Sequence, residues 1–135
     1  MAKRQITSDK IGKPSGHFSQ ATTIEARGRL VFISGMVAKR SDGSIAGIGD
    51  VEAQTRQVCE NLKAAVEAAG GTMADICRVD AFVRNMEHFD KIHKVRREYF
   101  PAPAPASTMV EVTKMTSPEY LIEISAIAVI QDDRG

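Results

Sequence analysis

The sequence predicts an α+β domain in which one mixed β-sheet carries two helices on one of its faces. In residues 120–130 every second side chain is apolar, whereas the side chains between them include both apolar and polar ones. This period of two is typical of a strand. Residues 51–69 and 86–100 instead repeat apolar side chains at steps of three and four, which is typical of amphipathic helices. The predicted order is strand, strand, helix, strand, helix, strand, strand, and two helices can cover only one face of such a sheet.

Length and composition indicate a single domain, residues 1–135, with almost no net charge. A chain of this size buries roughly two thirds of its unfolded surface, so one core is expected. Its 18 Lys and Arg residues are nearly balanced by 17 Asp and Glu residues. The chain therefore has no net positive potential that would attract nucleic acid or an anionic membrane. No segment approaches the roughly 20 apolar residues of a membrane span, and the start lacks the apolar run of a secretory signal. We therefore expect a soluble cytoplasmic protein.

The first third of the chain predicts an extended arm followed by a hairpin. Residues 1–16 have little apolar content and are interpreted as an extended N-terminal arm. Residues 17–24 and 30–34 are strand-like, and the glycine between them predicts that the two runs pair with each other. Ser34 and Gly35 end the second run, where a glycine leaves the backbone open to close approach by a ligand.

The middle of the chain predicts a helix, a strand and a second helix. Asp50 is placed to cap the first helix, which should stop at Gly70 and Gly71. Residues 72–75 predict a capped turn that leads into a strand with one apolar and one mostly charged face. A run of prolines ends the second helix. One stripe of that helix consists of Phe89, Ile92, His93, Arg96, Tyr99 and Phe100.

The last two strands are predicted to be neighbours that bring polar atoms to one face of the sheet. One face of residues 106–112 contains Ser107, Met109 and Glu111. The mixed face of residues 120–130 contains Leu121, Glu123, Ser125, Ile127 and Val129. Because the helices cover the other side, this face should meet water or another subunit, and its apolar members, including Met109, favour self-association. We expect a homo-oligomer with clefts at the subunit boundaries.

Glu123 is the residue on which a chemical function would depend. A carboxylate in mid-strand among apolar neighbours is partly withdrawn from water and suited to proton transfer near neutral pH. The alternative is an inter-subunit hydrogen bond without chemistry, and the residues alone leave both interpretations open.

Metal and nucleotide sites are not indicated. His88 and His93 lie five residues apart, which separates them by about 140° around a helix, and His17 has no ligand spacing with them. No nucleophile elbow, Walker loop or dinucleotide fingerprint occurs. The basic residues of the second helix are interpreted as a solvated face; they are Lys91, Lys94, Arg96 and Arg97.

Short motifs of one kind run along nearly the whole chain, from about His17 to Val129. They are Ser19-Gln20-Ala21, Ile33-Ser34-Gly35, Gln54-Thr55-Arg56-Gln57 with Glu60-Asn61-Leu62, Ala68-Ala69-Gly70, Phe82-Val83-Arg84-Asn85-Met86, Val110-Glu111-Val112 and residues 122–128. Together they resemble the YjgF/Rid family of reactive-intermediate deaminases. The resemblance implies a chorismate-mutase-like fold, a homotrimer, and inter-subunit clefts in which an enamine or imine is hydrolysed without metal or organic cofactor. It further implies that Glu123 orients the attacking water and that the backbone at Gly35 helps to hold the substrate.

Several positions depart from the pattern of this family. Ser107 stands in place of an arginine that clamps the substrate carboxylate, and serine has neither the charge nor the forked geometry for that task. Phe18 replaces a tyrosine, Met109 a cysteine and His93 an asparagine. We therefore expect a substrate other than the standard 2-imino acid. The expected substrate-binding residues are Phe18, Ser34, Gly35, His93, Ser107, Thr108 and Met109.

Three functions remain open from the sequence. The first is an enamine or imine hydrolase that acts on a small reactive metabolite with Glu123 as its catalytic residue. The second is a trimeric ligand-binding or regulatory protein without turnover. The third is an endoribonuclease, which the near-neutral charge and the lack of aromatic stripes disfavour. The hydrolase is the leading hypothesis.

Overall fold

The computed structural model describes residues 3–25 and 27–132. These residues form strands β1 (Arg4–Ile6), β2 (Ala21–Thr23), β3 (Arg29–Met36), β4 (Ile76–Val83), β5 (Ala106–Glu111) and β6 (Ile122–Ile130), and helices α1 (Val51–Ala68) and α2 (Phe89–Tyr99). The predicted α+β class is confirmed.

The main sheet has four strands in the order β3-β6-β4-β5. Strand β6 pairs antiparallel with both of its neighbours, whereas β4 and β5 are parallel, so the sheet is mixed as predicted. The prediction that the last two strands are neighbours is wrong, because β4 lies between them. Helix α2 is the crossover that a parallel β4–β5 pair requires, and it returns the chain to the outer edge of β4.

The N-terminal arm contains a strand, which the sequence did not predict. Strand β1 pairs with β2, so the predicted hairpin between β2 and β3 is wrong; its turn includes Ala26, which lies outside the described residues, as do Met1 and Ala2. Side chains hold this arm on the start of β4. Lys3 Nζ donates to the carbonyls of Ala74 and Ile76 at 2.9 and 2.6 Å, and Thr22 Oγ1 donates to the carbonyl of Cys77 at 3.0 Å.

Both helices begin and end close to the predicted residues. The Asp50 side chain accepts a hydrogen bond from Ala53 N at 3.1 Å, and Gly70 follows α1 with a φ of +96°. A 3₁₀ turn at Met86–His88 precedes α2, so the α-helical part is shorter than predicted. Neither described helix combines the length and apolar character that crossing a bilayer requires.

The helices cover one face of the sheet, as predicted, and leave the other face open. On the covered face, β6 buries Ile122, Ile124, Ala126, Ala128 and Ile130. On the open face, Leu30 and Phe32 of β3 are 59% and 73% exposed, which is unusual for side chains of this size. Met109 was expected on the open face, but it packs against the covered core. Exposed apolar residues of β3 therefore contribute to the open face instead of Met109.

Candidate functional site

Gly35 and Glu123 are in direct contact on the open face. A register shift between Ile33 and Met36 makes a bulge in β3, and this bulge contains Ser34 and Gly35, both exposed. A Cβ atom on residue 35 would lie 2.1 Å from Glu123 Oε2 and 2.8 Å from its Cδ. Only glycine fits at this position while the carboxylate keeps its place. The structure therefore places three of the expected site residues, Ser34, Gly35 and Glu123, side by side.

The half-buried Glu123 side chain forms part of the wall of a groove of about 390 Å³. Phe82 stands opposite Glu123 in the β4–β6 register and supplies an apolar wall. The remaining lining residues are Val112, Lys114, Met115 and Thr116. Sequence reasoning missed Lys114, a basic residue that lines the same groove as Glu123. A groove of this volume, lined by apolar side chains and a few polar ones, is typical of sites for small molecules.

Thr108 lies on the open face but apart from Glu123. Its hydroxyl accepts a hydrogen bond from Arg78 Nη2 at 2.7 Å, and the same nitrogen pairs with Asp80 Oδ1 at 2.7 Å. Because Thr108 belongs to β5 and Glu123 to β6, strand β4 separates them. The Thr108 hydroxyl is thus part of an ion-pair network two strands away from the groove.

Ser107 and Met109 lie on the helix-covered face, opposite to Glu123. Ser107 stands beside the buried Val79, whereas Glu123 stands beside Phe82. Residues 79 and 82 of one strand point to opposite faces, because successive side chains alternate. The prediction that Ser107, Met109 and Glu123 share one sheet face is therefore wrong. A single chain cannot present Ser107 and Glu123 to one small molecule.

His93 lies on the same side as Ser107 and is 4% exposed. Its Nε2 accepts a hydrogen bond from the backbone N–H of His17, and its ring stacks on Phe89 at a centroid distance of 4.9 Å. Burial, followed by the positive charges of Arg96, Arg97 and His17, lowers the pKa of His93 to about 4. The ring is therefore neutral at pH 7.

Phe18 is half-buried in the segment from Gly16 to Ser19, which covers His93. Gly16 lies so close to this ring that a Cβ atom would stand 2.8 Å from His93 Cε1. Ser19 anchors the segment, since its backbone N–H donates to the carbonyl of Pro105 at 3.2 Å. Phe18, His93 and Ser107 thus belong to the helix side of the molecule, and Glu123 to the open side.

Comparison with known proteins decides the family. The sequence profile of the family described as Endoribonuclease L-PSP matches residues 8–130. The chain belongs to the YjgF/Rid family. A RutC family protein of Pyrococcus horikoshii is 40% identical over 126 residues, which cover 93% of this chain and 97% of that one. A 2-iminobutanoate/2-iminopropanoate deaminase of Dermatophagoides farinae is 33% identical over 129 residues, covering 96% of this chain and 98% of that one.

Solved structures of the YjgF/Rid family have the same fold. A member of the conserved Rid family from Yersinia pestis, whose function is unknown, superposes with a TM-score of 0.88 at 34% identity. The match covers 96% of this chain and all of that one. The likeness therefore extends over both the open face and the helix side described above.

Arg96 is the residue of this YjgF/Rid chain that sequence reasoning placed wrongly. It was assigned to a solvated basic patch, but it is 3% exposed and its Nη2 donates to Ser107 Oγ at 2.9 Å. Its position in the apolar stripe of α2 was the signal that could have shown its burial. Within the described ranges, no group of three or more His, Cys, Asp or Glu residues is arranged to hold a metal ion.

Proposed function

We propose that this chain is a cofactor-independent hydrolase of the enamine and imine deaminase type, which acts on a small reactive metabolite. The observation that carries the proposal is the carboxylate of Glu123, which lies against Gly35 at the wall of a partly apolar groove. Family membership and the relative named as a 2-iminobutanoate/2-iminopropanoate deaminase support the same reaction class.

In the proposed reaction, Glu123 positions water and transfers protons. An enamine first tautomerises to the imine. Water oxygen then bonds to the imine carbon while Glu123 accepts a water proton and passes it to the nitrogen. A second proton transfer, from the new hydroxyl to the nitrogen, accompanies cleavage of the C–N bond. The products are a carbonyl compound and ammonia, so atoms and charge balance.

We further propose that the complete site forms between two copies of the chain in a homotrimer. Glu123 and Ser107 lie on opposite faces of one sheet, so a second copy must supply the helix side of the cleft. The exposed Leu30 and Phe32 beside the groove-bearing strand support association through the open face. The substrate is anchored differently from a 2-imino acid held by a strand arginine, because Ser107 occupies that position.

Ammonia release tests the role of Glu123. Wild type, Glu123→Gln and the exposed control Glu67→Gln are given a panel of freshly generated enamines, some with and some without an acidic group. We expect kcat/KM to fall about a hundredfold or more in Glu123→Gln and to stay unchanged in Glu67→Gln. Equal rates in Glu123→Gln and wild type would overturn the mechanism. Saturable binding without turnover by wild type would favour a ligand-binding protein, and RNA cleavage that requires Glu123 would favour an endoribonuclease.

Mixing two inactive variants tests the two-copy site. Glu123→Gln removes the open-face carboxylate, and Ser107→Asp fills the helix side with a second carboxylate. If neighbouring copies share each site, random co-assembly restores about a quarter of the sites, since each contributing copy is intact with a probability of about one half. If one chain held the whole site, refolded mixtures would show no more activity than the separate variants.

A further inference from the structure

Arg96 is a buried cation that pairs with no carboxylate of residues 3–25 and 27–132. The side chain is 3% exposed, and among the described residues its guanidinium has a single hydrogen-bond partner, the neutral hydroxyl of Ser107 at 2.9 Å. No carboxylate of the described residues pairs with it; their ion pairs involve Arg56, Arg78 and Lys94 instead. A buried charge without a partner is strongly destabilising, and a well-aligned, hydrogen-bonded counter-ion offsets much of that cost.

Two neighbouring groups do not supply that compensation. Burial raises the pKa of the Cys59 thiol to about 12, so this group is uncharged at neutral pH. The Phe100 ring lies with its centroid 6.0 Å from the guanidinium carbon, which is the outer limit of a cation–π contact. Among the described residues, none therefore balances the positive charge of Arg96.

Two buried hydrogen-bond donors on α2 have no acceptor within the part of the chain that the structure describes. One is Arg96 Nε, which is buried without a partner. The other is His93 Nδ1, also buried without a partner; it carries the proton of the neutral ring because Nε2 accepts from His17. Residues three apart on a helix are neighbours on one face. Two other side chains with such atoms, Arg84 and His88, are only half-buried, so they are closer to solvent.

We propose that Arg96 and His93 form an oxyanion site that receives the carboxylate or phosphate group of the ligand. A bound oxyanion accepts hydrogen bonds from Arg96 Nε and His93 Nδ1 and balances the positive charge of the guanidinium. One ligand group therefore satisfies both donors and pairs the buried charge. Ser107 is half-buried on the edge strand β5, so the Arg96–Ser107 bond leads from the core towards the surface. The segment from Gly16 to Ser19 closes the opposite side of the site through His17.

This inference rests on the proposed function insofar as it names the substrate class. The substrate is an enamine or imine that carries an acidic group, and helix α2 rather than strand β5 supplies the guanidinium that holds it. Arg96 can donate only those N–H groups that Ser107 leaves free. The geometry of anchoring therefore differs from that of a strand arginine, which fits a substrate other than the standard 2-imino acid.

Thermal unfolding in the presence of simple anions tests the site. Acetate and inorganic phosphate are titrated separately into wild type, Arg96→Met and Arg97→Met, with sodium chloride holding the ionic strength constant. Arg97→Met is the matched control, because it removes the same charge from an exposed position on the same helix. At saturation we expect the Tm of wild type and Arg97→Met to rise by about 5 °C and that of Arg96→Met to stay constant. A response to acetate assigns a carboxylate ligand, and a response to phosphate assigns a phosphorylated one.

A second variant keeps the test decisive should Arg96→Met fold poorly. Ser107→Asp places a carboxylate beside Arg96 and should raise the Tm in the absence of added anion while abolishing the anion response; Ser107→Asn is its neutral control. No anion response in wild type, or an equal response in Arg96→Met, overturns the inference. So does a Ser107→Asp variant that still responds as wild type does.

The two proposals fail in different ways. Glu123→Gln should retain the anion response, since Glu123 lies on the other face of the sheet. If wild type releases ammonia but shows no anion response, the proposed hydrolase activity stands and the proposed oxyanion site is wrong. If wild type responds to the anion but releases no ammonia, the proposed oxyanion site stands and the proposed hydrolase activity is wrong. With both intact, Arg96→Met should raise KM more for acidic enamines than for neutral ones.

Discussion

Gly35 lies against the carboxylate of Glu123 so closely that a Cβ atom on residue 35 would stand 2.1 Å from Oε2. The bulge of β3 brings the glycine to this point, and β6 brings the glutamate. The absence of a side chain at one residue thus decides where the other holds its carboxylate. In the proposed reaction, that carboxylate must meet a water molecule at hydrogen-bonding distance.

Gly35→Ala should displace the Glu123 carboxylate and lower kcat, because the added methyl group and Oε2 cannot occupy the same space. We expect a loss of about tenfold to a hundredfold in kcat, with smaller change in KM, since the substrate-binding groups remain. Steady-state ammonia release measures it. Gly12→Ala is the control, because nothing lies within 4 Å of its Cβ position. Unchanged kcat in Gly35→Ala would show that the position of Glu123 does not matter.

Phe32→Asp should break the proposed assembly, because it places a charge among the exposed apolar side chains of the open face. Phe32 is 73% exposed in the single chain, so the change does not disturb the core of that chain. Light scattering coupled to size exclusion should report the mass of a monomer. This monomer should keep its secondary structure but lose activity. Ile48→Asp is the matched control, since Ile48 is 67% exposed outside the sheet and should leave assembly intact. An unchanged mass for Phe32→Asp would move the interface elsewhere.

Stability should fall as the pH is lowered from about 6.5 to about 4, because of His93. Burial and the charges of Arg96, Arg97 and His17, opposed by Asp90, lower the pKa of this ring from 6.5 to about 4. Between these values the unfolded chain binds a proton that the folded chain does not, so the free energy of unfolding decreases with decreasing pH. Urea unfolding across this range measures the slope.

His93→Asn should flatten that slope, since asparagine does not titrate. His88→Gln is the control on the same segment and should keep the wild-type slope, because His93 is still present. A slope in His93→Asn equal to that of wild type would assign the pH dependence to other groups.

Local patterns predicted most of the fold. The period of two in β6 and the steps of three and four in α1 and α2 are properties of adjacent residues, and the structure confirms all three elements. Gly35 and Glu123 were both named as expected site residues, because both belong to motifs that resemble the family, but their contact became visible only in the structure. These predictions needed no knowledge of which strands pair.

Pairing and burial could not be predicted in the same way. Strand β4 lies between β5 and β6, and this arrangement sends Ser107 and Glu123 to opposite faces. Arg96 looked like one more charge on a basic helix, yet its packing between α2 and β5 buries it.

The sequence by itself predicted helices α1 and α2 and strands β2 to β6, and it singled out the carboxylate of Glu123, since these follow from neighbours along the chain. Only the tertiary structure decided that these polar residues divide between two sides of the sheet, with Glu123 on the open face and Arg96 and Ser107 on the helix side. The physical reason is that strand register and side-chain burial depend on contacts between residues far apart in the chain, which no local pattern encodes.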